Sequence, residues 1–344
     1  MKKLQNGNRI LIITLGGFEH SSSRIRALQY IPFLQSEYLI KWISRGIHLR
    51  PMNLPNKIWM ASTKRINLLR IFLFMIYGNF DIIFIQRALL NHHWIKKAKK
   101  QGKKIVFDFD DAIYISDKNK NAEKETISSI RMADLVITSC PVLQSYARNY
   151  NLNSIIITSA VDTNVITPEN PQNSVLNIGW IGSSWTTKYL SILEQVFKKL
   201  SNKYKFRLML MGAGSVHFEC ETKVVEWRAD AEVEFLKSID IGIMPLFNGE
   251  YEKAKGGYKL FQYMAAGKPV LASPVGINND IVVDGENGYL CANEQQWLDA
   301  LVYLFENKEE RKRMGNNGRE MILSKYSLEL CAAKLIENLT YLSS

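Results

Sequence analysis

Three carboxylates crowd the end of one short apolar run: Asp108, Asp110 and Asp111 within Ile105-Val106-Phe107-Asp108-Phe109-Asp110-Asp111-Ala112-Ile113-Tyr114. Acids this close raise the pKa of at least one member unless cations or hydrogen bonds offset the repulsion. The segment reads either as a place where protons are handled or as acids that cap a helix and pair with Arg24 and Arg87. Anion binding is the second chemistry on offer. Gly256-Gly257 open a segment whose Tyr258, Phe261, Gln262 and Ala265 recur at helical spacing, and Gly267 and then Pro269 stop it. A glycine pair at a helix start lets backbone amides approach a ligand, and the helix dipole favours a phosphate there. The plainer alternative is a buried helix after a tight turn. Gly179-Trp180-Ile181-Gly182-Ser183-Ser184-Trp185-Thr186-Thr187-Lys188 is a second junction of this type, with Ser183, Ser184 and Thr186 as hydroxyl donors and Lys188 as a nearby positive charge. In a third, Gly16-Gly17-Phe18-Glu19-His20-Ser21-Ser22-Ser23-Arg24-Ile25-Arg26, the serines either cap the next helix or touch a phosphate, and Arg24 and Arg26 add charge near its start. That spacing is not the GxGxxG of dinucleotide sites.

Turns of this kind sit where strands end. Apolar runs alternate with helical patterns along the chain, which predicts parallel α/β units. One series comprises Ile10–Leu15, Asp81–Ile85, Lys104–Phe109, Leu135–Thr138 and Ile155–Thr158; a second comprises Leu176–Ile181, Phe206–Met211, Asp240–Met244 and Pro269–Ala272. Between them a polar, proline-bearing run from Asp162 to Ser174 reads as a linker. The expected organisation is therefore a first domain over 1–170, a second over 171–326 and a closing helical segment over 327–344. Doubly wound domains bind ligands at the carboxyl ends of their strands, so a cleft between the two is the natural site.

The 344 residues suffice for two domains, and 47% hydrophobic residues suit well-filled cores. Cys140, Cys220, Cys291 and Cys331 lie far apart with no CxxC pair, which predicts reduced thiols and not bridges or zinc ligands. The five histidines show no HExxH or other metal spacing, so no metal site is expected; His20, in the first glycine loop, is the one worth testing. Neither a GxSxG elbow nor a Walker loop is present. The basic start Met1-Lys2-Lys3 leads into too short an apolar run for a secretory signal and reads as a first strand. Ile66 to Tyr77, the longest apolar segment, is interrupted by Arg70 and falls well short of the ~20 residues a spanning helix requires; it reads as a core helix or as one lying in a membrane surface. Charge is uneven. Residues 1–105 hold 19 Lys and Arg against three acids, whereas residues 171–344 hold 20 against 21. The lysines from Lys96 to Lys104 form a solvated helix face or, with the rest of that excess, meet an anionic partner.

Gln262-Tyr263-Met264-Ala265-Ala266-Gly267-Lys268-Pro269-Val270 resembles the second half of the donor-binding signature of family 4 glycosyltransferases, in which an acidic residue and seven others precede Glu-Ala-Met-Ala-x-Gly-x-Pro-Val. The segments SSSRIR (from Ser21) and DFDDA (from Asp108) are similar to those of a bacterial subgroup of the family. The resemblance implies the GT-B fold, α/β, with two doubly wound Rossmann-like domains and a cleft between them. It also implies a UDP- or GDP-sugar as donor, transfer with retention, and no required metal or cofactor. By the family's register Gln262 stands where a Glu holds the ribose, and its amide can make such bonds. The earlier acidic position falls on Ala254, which leaves Glu250, Glu252 or Lys255 to take over that contact. Lys188 and Lys259 are the candidates for the diphosphate, since no Arg follows the Gly182 turn. Met211-Gly212-Ala213-Gly214 resembles the family's glycine turn near the nucleotide, and Gly182, Ser183, Gly256, Gly257 and Tyr258 complete the implied donor site. Arg24 faces the cleft in that subgroup, and Asp110 or Asp111 would orient or deprotonate the acceptor hydroxyl.

The implied acceptor is a lipid-linked or growing glycan in bacterial surface polysaccharide synthesis. The implied location is the cytoplasm, with the basic domain resting on the anionic inner face of the membrane; the number of subunits is left open. A sugar-nucleotide 2-epimerase uses the same fold and is the competing enzyme reading, separated by incubation with donor alone. Nucleic-acid binding through the basic segment predicts salt-dependent affinity for any duplex; without interleaved aromatics or a reader motif, no nucleic acid is expected. Asp108-Phe109-Asp110 also resembles the opening of haloacid dehalogenase-type phosphatases, in which the first Asp attacks phosphorus and the second serves as acid and base with magnesium. That motif begins a chain and carries Thr where this one has Ala112.

Overall fold

A computed structural model of the chain describes residues 8–46, 56–117, 119–169 and 175–343, with the side chains of 56–62 left out. The N-terminal basic start and the end of the linker run, 170–174, lie outside the described residues. Two compact units emerge: Met1–Ser159 together with Glu329–Ser344, and Ala160–Leu328.

The first unit is built on β1 (Arg9–Thr14), β2 (Leu39–Ser44), β3 (Ile82–Gln86), β4 (Lys104–Phe109), β5 (Leu135–Thr138) and β6 (Ser154–Ile156), in the order β2-β1-β3-β4-β5-β6. The second has β7 (Leu176–Ile181), β8 (Phe206–Met211), β9 (Glu221–Val225), β10 (Ile241–Met244), β11 (Val270–Ala272) and β12 (Gly288–Leu290), in the order β12-β11-β10-β7-β8-β9. Every pairing is parallel. Helices cover such sheets, so inner strands become continuous apolar runs; β3, Ile-Ile-Phe-Ile-Gln, is buried at every position. The strands that sequence reading passed over, β2, β9 and β12, all lie at sheet edges. There β9 and the first four residues of β2 are exposed or half-buried and include Lys223 and Lys41, so no apolar run marks them.

Strand order reverses at β1/β3 in the first sheet and at β7/β10 in the second, and open α/β sheets bind ligands outside the carboxyl ends at such points. The predicted glycine turns follow β1, β7 and β8, and Gly256-Gly257 come after β10. The closing helix, Leu328–Ser343, sets Leu335 and Leu339 in the first unit's core, and Thr340 Oγ1 lies 3.0 Å from Tyr38 Oη. The described part of the predicted linker is held by the second unit: the Arg319 guanidinium donates to the carbonyls of Thr163, Ile166 and Ala265. None of the four cysteines is in a disulfide, and three are buried.

One buried ion pair fixes the first unit's ligand end. Arg26 Nη2 lies 2.5 Å and Nε 3.2 Å from the Asp108 carboxylate, while Nη1 donates to the Ile157 carbonyl. Burial opposes the charge on both partners and raises the Asp108 carboxyl to about 6, while Asp108 raises the Arg26 guanidinium above its ordinary value. Leaving one member of such a pair alone costs about 3–5 kcal/mol. Arg26→Ala should lower the unfolding free energy in urea by that much, and Arg26→Met with Asp108→Leu by clearly less. Equal losses in the single and double variants would show that packing, not pairing, holds this site.

Candidate functional site

In the second unit the helix Tyr258–Ala265 starts at Gly257, whose φ of 69° is left-handed. A Cβ there would lie 2.5 Å from Ile281 Cδ1. Both facts restrict the position to glycine. The helix is tied to β7 by the Ile181 N–H, which donates to Tyr263 Oη at 2.9 Å. In its first turn Lys259 sets its Nζ 4.4 Å from the centre of the Trp180 ring. Burial pushes the Lys259 amine down to about 7, and Lys255 adds to the effect. One turn on, Gln262 is 2% exposed and its Nε2 has no hydrogen-bond partner. Trp180 Nε1 is also buried without a partner. Two buried N–H donors, Gln262 Nε2 and Trp180 Nε1, thus lack acceptors, and the Lys259 amine lies over the Trp180 ring, the inverse of what a finished core shows.

The turns after β7 and β8 touch. Gly212 has φ 73°, and a Cβ on it would come 2.2 Å from the Gly182 carbonyl oxygen. Gly182 N–H donates to the Met211 carbonyl, locking the turns edge to edge. Ser183 and Thr186, named as phosphate donors, are engaged with each other: Ser183 N–H donates to Thr186 Oγ1 at 3.0 Å, and the Ser183 hydroxyl accepts from the Thr186 N–H. They form a reciprocal cap for the following turn. Lys188 is exposed, its Nζ 4.2 Å over the Trp185 ring.

The structure distinguishes among the residues proposed to stand in for the acid missing at Ala254. Ala254 is fully buried, so a carboxylate there would have to shed all its water. Glu250 is surface-paired with Lys253. Lys255 has its Nζ 4.7 Å from the centre of the Tyr251 ring. Glu252 turns inward: it is 8% exposed and accepts a 2.5 Å hydrogen bond from Tyr189 Oη. Gly249 makes room for it, since a Cβ there would meet Glu252 Oε2 at 2.4 Å. Gly256 and Tyr258 flank Gly257 and are half-buried.

In the first unit, Asp110 and Asp111 both pair with Arg87, at 3.4 and 2.9 Å. Asp110 also accepts from Ser22 Oγ at 2.7 Å, and Gln86 Nε2 donates to that same hydroxyl at 2.8 Å. The serines were expected to cap their helix or to touch a phosphate; the cap is His20, its Nδ1 accepting from the Ser23 N–H at 3.3 Å. Burial and Arg87 lower the His20 pKa against the pull of Asp110 and Asp111. Arg24 is half-buried and donates to the Phe18 carbonyl. Asp108 is 1% exposed behind Arg26 and cannot be the open nucleophile of a phosphatase. Sequence reading had no hold on Tyr189, Trp180 or Gln86, because each is a core residue by composition and becomes a site residue only through what it touches. Arg87 stands directly after β3, and that position was its signal.

Residues 175–307 match the model of the family Glycosyl transferases group 1. Curated relatives agree. An uncharacterized glycosyltransferase of Methanocaldococcus jannaschii is 27% identical over 197 residues, covering 53% of this chain and 52% of that one. The N-acetyl-alpha-D-glucosaminyl L-malate synthase of Bacillus anthracis is 25% identical over 41% of this chain and 39% of its own length. The chain therefore spans about half the length, or less, of the curated relatives it matches. Similar solved structures include sucrose-phosphate synthase from Thermosynechococcus elongatus (TM-score 0.73, 14% identity, 97% and 99% of the two chains covered). HepE of Anabaena in complex with UDP is another (TM-score 0.68, 13% identity, 97% and 100% covered). With two parallel Rossmann-like sheets, these neighbours establish the GT-B fold, and family and relatives support a glycosyltransferase.

Gly257→Ala combines the left-handed strain, about 1–2 kcal/mol for an L-residue, with a clash against Ile281. A fall in the urea midpoint is expected, with loss of any ligand-induced thermal shift. An unchanged midpoint would mean that the helix start can move aside.

Proposed function

We propose that the protein transfers a sugar from a UDP- or GDP-sugar to a hydroxyl of a lipid-linked or growing glycan, with retention and without a required metal, in bacterial surface polysaccharide synthesis. The observation that carries this reading is the unpaired group around Lys259. Among the described residues no carboxylate pairs with it, and burial has pushed its amine to about 7. An ammonium in that position is stabilised by an incoming diphosphate, and Gln262 Nε2 gains an acceptor in a ribose hydroxyl. In the step itself the bond from the sugar's anomeric carbon to the diphosphate oxygen breaks and a bond to the acceptor oxygen forms. Asp110 or Asp111 orients the acceptor hydroxyl or takes its proton, and Lys259, with Lys188, meets the charge that builds on the leaving nucleoside diphosphate. Gly182, Gly212, Gly256 and Gly257 bring backbone close to the nucleotide, Tyr258 and Ser183 border it, and Glu252 acts from the place left by Ala254.

A thermal-shift panel of nucleoside diphosphates and their sugars tests the donor site, because a ligand at 100 times its dissociation constant stabilises by about 2.7 kcal/mol. UDP or GDP and one matching sugar nucleotide should raise the melting temperature; a panel with no shift at all removes the reading. Lys259→Ala should cut turnover about 100-fold, the usual loss of one electrostatic stabiliser.

The pH dependence has a defined sign. Free Lys259 is half neutral near pH 7, and the bound diphosphate favours its charged form. Affinity for UDP or GDP should therefore fall between pH 7 and 9, by up to about tenfold per unit, with proton uptake on binding. Lys259→Met should flatten the profile, and an equally steep profile in that variant would assign the proton elsewhere.

A further inference from the structure

The helix Asn56–Tyr77 is apolar on two opposite sides. Asn67, Ile71 and Met75 are buried, while Ile66, Leu69, Leu73 and Tyr77, at spacings of three and four, are 44–71% exposed. A surface helix normally turns one apolar stripe inward and a polar one outward. The helix is not free to roll: the buried Lys103 ammonium donates to the Met75 and Gly78 carbonyls, both at 2.7 Å, and so caps its end. Phe72 packs on Trp94 of the helix His92–Lys100, with ring centres 5.3 Å apart. The outward stripe is therefore built in.

What surrounds the stripe says what covers it. From Tyr38 to Phe107 the chain holds fourteen Lys and Arg and a single acid, Asp81. Lys64, Arg65 and Arg70 are exposed on the helix itself, and Lys97 places its Nζ 5.8 Å from the Tyr77 ring centre. The helices His92–Lys100 and Ala122–Met132, which continue the row, enclose a groove of about 1000 Å³. Lys96, Lys100, Lys124 and Arg131 line it with one carboxylate, Glu123, and with Ile127. Lys99, also there, is neutralised by Asp134. No helix among the described residues is long and apolar enough to cross a membrane.

We infer that this row of three helices is a docking face for an anionic lipid bilayer: Leu69, Leu73 and Tyr77 enter the headgroup boundary while the flanking lysines and arginines lie against lipid phosphates. Each element matches its counterpart. An in-plane helix buries apolar side chains at the interface between acyl chains and headgroups, and neighbouring cations add attraction that depends on anionic lipid and on low salt. A second copy of this chain would bring the same cations to face each other, so charge argues against self-association here. The inference deepens the lipid-linked acceptor of the proposed function by naming the surface that meets the lipid. It does not need the donor chemistry.

The test is co-sedimentation of the full chain with vesicles of phosphatidylcholine alone or of phosphatidylcholine and phosphatidylglycerol in equal parts, without nucleotide. Binding is expected to the mixed vesicles only, and weakened by salt. Leu69→Gln with Leu73→Gln, and separately Lys96→Glu with Lys100→Glu, should each reduce it about tenfold or more. All these positions are exposed, so melting curves should stay unchanged. The inference falls if the chain ignores both vesicle types, if neutral vesicles bind equally, or if either double variant binds like the parent. It also falls if the leucine variant loses only a concentration-dependent dimer. Because sedimentation is run without any donor, its failure and the failure of the nucleotide panel are distinguishable.

Discussion

The first unit's chemistry hangs on the Asp108–Arg26 pair. Burying an ion pair is costly, and it holds only where geometry and further hydrogen bonds compensate; here Ile157 supplies the extra acceptor. Asp108 then works twice. Its carboxylate anchors the helix Ser21–Arg26 to the end of β4, and its backbone carbonyl accepts the Arg87 N–H at 2.8 Å. From that fixed point Asp110 and Asp111 are presented to one guanidinium, with Ser22 and Gln86 steering Asp110. Three neighbouring acids thus have different duties: the buried one is structural, and the two half-buried ones are available for chemistry.

The second unit solves the opposite problem. Instead of pairing the half-buried Lys259 with a carboxylate it leaves that amine and the Gln262 amide without acceptors, beside glycine turns that touch backbone to backbone at Gly182 and Gly212. Under the proposed reading such a site needs no rearrangement when an anion arrives, which is the condition under which fixed dipoles and charges are most effective. Position 254 lies in the core, whereas Glu252, two residues earlier, has an inward course opened by Gly249 and a partner in Tyr189.

Much of the fold was legible because inner parallel strands are apolar on both faces, and such runs are hard to mistake. Lys104–Phe109, Leu135–Thr138, Leu176–Ile181 and Phe206–Met211 coincide with the strands expected from sequence. The edge strands β2, β9 and β12 were not legible, since their half-exposed residues leave no run to read, whereas the edge strand β6 was. The glycine turns were legible through spacing alone. Partners were not: nothing in the sequence told Asp108 from Asp110, or assigned the helix cap to His20 over three adjacent serines, because burial and side-chain direction arise only when β1, β3 and β4 lie side by side. Ile66–Tyr77 was left open between a core helix and one lying in a membrane surface for a related reason, as an apolar helix reads alike whichever side it buries.

Arg87 has a left-handed backbone, φ 55°, and among the described residues no other non-glycine residue does. A glycine there would relieve about 1 kcal/mol of strain, so the conformation is tolerated for the sake of the side chain. The guanidinium between Asp110 and Asp111 must then be worth more than the distortion it maintains. Without those contacts the balance tips toward letting the backbone relax. The turn after β3 is thus a lightly loaded spring, in which occupancy of the carboxylates and the shape of the main chain are coupled.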